Sequence, residues 1–275
     1  MATNAKSYSV GMINESGYVV MLPNVGDATD VLMGTPPNPY AQSAMQLFPL
    51  GTKLVQGERV WRYCKNGTTA LTTLGVPIMS QARAHAEQDD DIDVGAAGAA
   101  IGAFVVPLTG TANLDTSPND ETNAFAEGYL YVNDEAGEGQ MYKIKSNEAF
   151  VTTAVVNFTL YDPLTVALTT SSQVGLIRNP YDRVLATTAP LTGVPVGVPN
   201  MGITASYYFW SQTGGPAAVV CGEAIPLGTY AVVGVTAAVV MAANPGATGE
   251  YILGYTLTLG VTSTESIACF LTLDR

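Results

Sequence analysis

Apolar and polar positions alternate with period 2 through most of residues 104–273. Phe104-Val105-Val106, Tyr129-Leu130-Tyr131-Val132, Met141-Tyr142-Lys143-Ile144-Lys145 and the stretch 155–161 are rich in β-branched and aromatic residues. Turn-forming clusters at 113–123, 133–139 and 145–147 separate them. The pattern returns at Tyr207-Tyr208-Phe209-Trp210 and at 217–221, 230–240, 251–259 and 267–273. Earlier in the chain, Leu54 and Val60-Trp61-Arg62-Tyr63 also alternate. Gln56-Gly57 and Asn66-Gly67 offer turns of positive φ, so a β-hairpin is predicted there. Short strands at this spacing, with Gly-rich turns, predict a sandwich or a barrel. The four aromatics at 207–210 send side chains to both faces of their strand, so at least one face must meet a second layer or a partner.

Two regions depart from this pattern. Residues 79–88 are rich in Ala, Gln, Glu and Arg and form the one stretch with a helical composition. The acidic run Asp89-Asp90-Asp91-Ile92-Asp93 ends it, and the small residues of 95–100 follow. Residues 1–46 are broken by Pro23, Gly34, Pro36, Pro37 and Pro39, yet keep Tyr18-Val19-Val20-Met21-Leu22 and Val31-Leu32-Met33. Such anchors suit an extended arm lying on its own domain or on a neighbouring subunit. Pro190, Pro195 and Pro199 with Gly193 and Gly197 mark a boundary. The expected fold is mainly β, with sandwich or barrel domains, an extended N-terminal arm and one short helix. The expected division is an arm over 1–46, a β-rich domain over 47–189 with its helix near 79–88, and a C-terminal β domain over 190–275.

Composition narrows the chemistry. Only 12% of the 275 residues are charged, about half the usual share, and His85 is the one histidine. Acid–base and hydrolytic catalysis needs clustered titratable groups, so the chain reads as a protein that packs and assembles, not an enzyme. A net charge of −12 opposes nucleic-acid binding, which needs clustered Lys and Arg. The densest basic patch, Lys53, Arg59, Arg62 and Lys65, is spaced for a strand pair. The apolar runs 94–108 and 230–243 fall short of a bilayer span, so no membrane is expected as partner. The first twenty residues lack the apolar segment of an export signal, which predicts synthesis and folding in a reducing cytoplasm. Cys64, Cys221 and Cys269 form no CxxC pair and read as buried thiols.

Asp89, Asp91 and Asp93 resemble the start of a calcium loop, but Val94 and Ala100 occupy its glycine and glutamate positions. A solvated helix end is the expectation, with no metal. His85 has no nucleophile elbow to serve, and Gly95-Ala96-Ala97-Gly98 lacks the Lys of a phosphate loop. No cofactor is expected. Asn14, Asn66 and Asn157 open glycosylation sequons that carry no glycan without export. Glu127, Asp134, Glu135 and Glu138 are the local carboxylates that a glycosidase reading would need across a cleft.

Several short segments resemble the head decoration (cement) proteins of tailed bacteriophages. They are Phe48-Pro49-Leu50-Gly51-Thr52-Lys53, Gly57-Glu58-Arg59-Val60-Trp61-Arg62-Tyr63-Cys64 and Asn66-Gly67 near the start, then Glu127-Gly128-Tyr129-Leu130, Gly137-Glu138-Gly139 and Tyr142-Lys143-Ile144. Leu160-Tyr161-Asp162-Pro163-Leu164, Asn179-Pro180-Tyr181 and Phe209-Trp210-Ser211-Gln212-Thr213 continue the likeness to the C-terminus, while residues 1–46 lie outside it. The resemblance implies a β-rich, non-enzymatic virion protein, a homo-oligomer and most simply a trimer. It implies a seat on the outer capsid surface, major capsid protein as partner, and no catalytic motif. The expected interface draws on Tyr18, Val19, Leu22, Val31, Leu32, Met33, Tyr40 and Trp210. The alternatives are a phage tail or receptor-binding protein, or a carbohydrate-binding module.

Overall fold

The alternation resolves into nineteen strands among the described residues. The computed structural model describes residues 37–90, 92–244, 249–260 and 264–274 in full, and 12–13 and 18–21 by backbone alone. Among the described residues the protein is mainly β, with one short helical segment. The chain forms two units, the first from residues 1–81 and 180–275, the second from the continuous stretch 82–179.

In chain order the strands of the first unit open with β1 (Met12–Ile13), β2 (Tyr18–Met21), β3 (Gln42–Ser43), β4 (Lys53–Gln56), β5 (Arg59–Lys65) and β6 (Ile78–Met79). The second unit holds β7 (Ile92–Asp93), β8 (Val105–Thr109), β9 (Tyr129–Asp134), β10 (Met141–Asn147), β11 (Val155–Leu160) and β12 (Gln173–Ile177). The chain then returns to the first unit with β13 (Leu185–Ala186), β14 (Pro195–Pro199), β15 (Tyr208–Val220), β16 (Tyr230–Val233), β17 (Met241–Ala242), β18 (Tyr251–Thr256) and β19 (Ser266–Thr272).

The second unit is a nearly closed barrel. Its antiparallel strands run β7-β12-β9-β10-β11-β8, and Val94, just past β7, bridges back to Leu108 of β8. Period-2 alternation sends Val106, Leu108, Leu130, Val132, Ile144, Val156, Phe158, Val174 and Leu176 inward. Phe125, Phe150 and Phe158 meet there with ring centroids 5.7–6.1 Å apart. Gly175 on β12 lets the helical turn Glu87–Asp90 approach, because a Cβ there would lie 2.1 Å from the Asp89 carbonyl oxygen. The Tyr131 hydroxyl donates to that same oxygen.

The first unit is an open half-barrel, ordered β1-β2-β4-β5-β15-β19-β18-β16-β17. The β4–β5 hairpin forms as predicted, with Gln56 paired to Arg59 around Gly57 at φ +58°. Strand β15 runs for thirteen residues, and all but Tyr208, Pro216 and Ala218 are buried. It pairs with β5 on one edge and with β3, β14 and β19 on the other. Tyr208 and Trp210 pack with Phe48 and Tyr63 on one face, while Phe209 joins Cys64, Leu71 and Ile78 on the other. Both faces of the aromatic run are therefore covered within their own unit.

Three expectations are corrected. The helix is the four-residue turn Glu87–Asp90, not 79–88, because Met79 is held in β6 against Leu185 and Pro195. Asn66-Gly67 is no positive-φ turn: Asn66 is buried, bridges to Val184 and donates from Nδ2 to the Thr69 and Thr204 carbonyls. The Pro-rich stretch 185–200 supplies β13 and β14 to the sheet, and the units divide at 81/82 and 179/180. Of the expected arm, the backbone of 18–21 adds a strand to β4, and the greater part lies outside the described residues.

Two glycines make a test of this packing. Gly57 and Gly215 both have positive φ, but a Cβ at Gly57 meets nothing within 4 Å, whereas one at Gly215 would sit 2.3 Å from the Glu58 carbonyl oxygen. Gly57→Ala should cost about 1 kcal/mol from backbone strain alone. Gly215→Ala should cost about 2–4 kcal/mol, since β5 must also shift. Urea unfolding midpoints check this, and equal costs would contradict the close approach of β5 to β15.

Candidate functional site

The titratable groups do not converge on a reaction centre. The His85 side chain is exposed, and its Nδ1 accepts from the Glu87 backbone N–H. Cys64, Cys221 and Cys269 are free and buried. Burial pushes all three thiols up, Cys269 to about 12, which keeps them protonated and weakly nucleophilic at neutral pH. Glu127 lies before β9 while Asp134, Glu135 and Glu138 lie at its far end, about 20 Å away along six strand residues. They do not face each other across a cleft. Among the described residues, no group of three or more His, Cys, Asp or Glu side chains is placed to hold a metal ion.

Of the expected interface residues, Leu22, Val31, Leu32 and Met33 lie outside the described residues. Tyr18 and Val19 belong to β2, whose backbone pairs with β4 of the same chain. Tyr40 is exposed, and its hydroxyl accepts from Arg59, whose guanidinium also lies over Trp61. Trp210 is corrected from an interface residue to a core one. Only 4% of it is exposed, and its ring lies 5.0 Å from Tyr63 and 5.3 Å from Phe48.

The surface that the structure assembles is elsewhere in the first unit. Tyr230 on β16 stands opposite Tyr255 on β18, and Tyr255 stands opposite Phe270 on β19. Residues opposite one another in a ladder share a face, so three aromatics form one cross-strand row. The Tyr255 and Phe270 rings stack at 5.2 Å with planes 9° apart. Tyr230 is 57% exposed, and Ile252, on β18 with Tyr255, is 51% exposed. Beyond Phe270 the row borders a groove of about 530 Å³, walled by Val55 and Val60 and carrying Lys53, Glu58 and Asp274. Sequence reading placed strands here without recognising the row. The available signal was charge: residues 224–264 contain Glu250 and no other charged side chain.

Charge is divided unequally between the units. Residues 82–179 carry fourteen acidic and four basic side chains, a net −10. The remaining residues carry nine and seven, a net −2. The outer face of the barrel has its own small row, in which Ile177, Tyr129 and Lys143 stand in register across β12, β9 and β10. The Tyr161 backbone N–H donates to the Lys143 carbonyl, and the Lys143 ammonium lies 5.8 Å from the Tyr161 ring.

One ion pair closes the first unit. Arg62 on β5 donates from Nε and Nη2 to the two Asp274 oxygens at 2.7 and 2.8 Å, and from Nη1 to the Gly51 carbonyl. The Thr213 hydroxyl donates to Asp274 at 2.9 Å. Burial pushes the Asp274 carboxyl up, but the hydrogen bonds and charge of Arg62, with Thr213, outweigh it and hold the pKa below the ordinary aspartate value. The clamp ties the C-terminal end to β5 across 212 residues.

Comparison with protein-family models, curated proteins and solved structures returns no match to this chain.

The clamp sets a pH dependence. A carboxylate with a depressed folded pKa contributes stability above its unfolded pKa of about 3.9 and loses it as pH falls through the folded value. Asp274→Asn should lower stability by about 1–3 kcal/mol at pH 7. Chemical unfolding from pH 7 down to pH 2 should show the two proteins converging at the acid end. A constant gap across that range would mean that ionisation of Asp274 does not matter.

Proposed function

We propose that this protein is a structural virion component that decorates the outer surface of a tailed-phage capsid, binding between major capsid protein subunits and stiffening the shell. The observation that carries the proposal is the uneven division of charge between the units, set beside the exposed aromatic row on the less charged one. The barrel unit holds −10 of the −12 net charge, while the near-neutral half-barrel unit presents Tyr230, Tyr255, Phe270 and Ile252 outward. A particle-bound protein needs an adhesive side, where apolar burial supplies the binding energy. It also needs a charged side that stays solvated and resists aggregation. Adhesion repeated over a lattice multiplies weak single contacts through valency. On this reading the protein is a non-enzymatic homo-oligomer, most simply a trimer, made in the host cytoplasm and ending on the virion exterior. Short resemblances to phage decoration proteins point the same way.

A carbohydrate-binding reading draws on a different observation, the Tyr129–Lys143–Tyr161 row on the barrel exterior. Aromatic rings beside a polar donor can hold a sugar face.

Co-sedimentation with undecorated phage heads separates the two. The decoration reading expects full-length protein to pellet with heads and to stay bound at about 1 M salt, where exposed ionic contacts are screened. Absence from the pellet would contradict it. Absence from the pellet, together with glycan-array binding abolished by Tyr161→Ala, would establish the carbohydrate reading instead.

A further inference from the structure

We infer that the groove around Arg59, on the first unit, binds an acidic segment of extended peptide and that Arg59 holds its carboxylate. The groove adjoins the aromatic row without including it, and the inference does not rest on the decoration reading.

Arg59 is held in place by its own unit. It opens β5 directly after the Gly57 turn. Its Nη1 donates to the Tyr40 hydroxyl at 2.7 Å, and its Nη2 donates to Gln212 Oε1 at 2.9 Å. The guanidinium lies 4.7 Å from the centre of the Trp61 ring and 5.7 Å from that of Tyr40. Gln212 is fully buried, and its Nε2 donates to the Pro216 carbonyl, so one amide ties the guanidinium to the neighbouring stretch of β15. All these partners are neutral. Among the described residues no carboxylate pairs with Arg59, in a chain with 23 acidic and 11 basic side chains. A guanidinium oriented in this way and lacking a counter-charge is prepared for a carboxylate.

Among the described residues, Arg59 is also the one charged side chain that lines a groove of about 500 Å³. Exposed Tyr40 and Leu74 stand on its walls with Asn200, and the small side chains of Ala218, Ser266 and Ala268 leave it open. The lining follows the β15–β19 ladder from Pro216 to Ser266, which stands opposite Val220. That distance is about 13 Å, the length of four or five residues of extended chain, and it favours a peptide over a small free acid. The same walls hold two buried donors without an acceptor, Arg59 Nε and Asn200 Nδ2. Buried donors are almost always paired in folded proteins. Carboxylate and peptide carbonyl oxygens are the acceptors that this groove lacks.

The test measures binding of pentapeptide libraries to the full-length protein by fluorescence polarisation. The peptides carry a neutral dye and an amidated C-terminus, their flanking positions are randomised among Ala, Leu, Val and Ser, and the central residue is Glu, Gln or Lys. The Glu library should bind about tenfold more tightly than the Gln library, and the Lys library least. The difference should shrink at about 1 M salt. Arg59→Gln should remove the preference for Glu over Gln. Because Arg59 also packs on two rings, Leu74→Asp serves as a second variant on an exposed side chain. It places a like charge beside the site and should remove the preference with an unchanged far-UV circular dichroism spectrum. Equal binding of the Glu and Gln libraries overturns the inference, as does a preference that survives in either folded variant. If free 4-methylpentanoate competes as well as unlabelled Glu peptides, the groove is a small-acid site and the peptide assignment falls. Failure to pellet with phage heads would contradict the decoration reading and leave these results unchanged, so the two readings fail separately.

Discussion

The backbone pairing of β15 is the constraint on which the first unit depends. Its thirteen residues accept β5 along one edge and β3, β14 and β19 along the other, so segments from residues 42–65 and 195–272 are joined through it. Gly214 and Gly215 sit where these partners change, and neither site has room for a side chain. Aromatic packing then covers both faces of the strand's first half. The Arg62–Asp274 clamp fixes the chain end that follows β19. Such pairings are almost all distant in sequence, so the sheet gains little until many segments have come together.

The barrel is accommodated by the same logic. Its chain leaves the first unit after β6 and returns before β13, and these two strands pair antiparallel through Met79 with Leu185 and Ile78 with Ala186. Pairing the exit strand with the re-entry strand lets 98 residues fold around their own core without interrupting the sheet that hosts them. The barrel keeps its own aromatic centre of Phe125, Phe150 and Phe158.

This arrangement explains what could be read from sequence. The barrel strands β8 to β11 alternate cleanly because one face is buried and the other is wet, and they stand close to where period-2 reading puts them. The Gly57 hairpin was legible for the same local reason. The helix was misplaced because helical composition at 79–88 yields to burial of Ile78 and Met79 in the sheet. The unit boundary was missed because the first unit is discontinuous, and proline density marks a bend within a sheet as readily as a linker. Trp210 reads from sequence as an interface anchor because no local signal shows that Phe48 and Tyr63 cover it. The Tyr230–Tyr255–Phe270 row depends on register between three strands, which alternation alone does not specify.

The two units thus differ in surface chemistry as well as topology: an acidic, nearly closed barrel, and a near-neutral open sheet with an aromatic row. On the proposed reading, partners cover the open sheet and the barrel surface stays solvated. Hydroxyl-radical footprinting of the full-length protein on assembled particles, compared with the protein at high dilution, tests that claim residue by residue. The account predicts that Tyr230 and Tyr255 become protected while Tyr129 and Tyr161 stay reactive. Unchanged reactivity at Tyr230 and Tyr255, or protection confined to the barrel tyrosines, would contradict it.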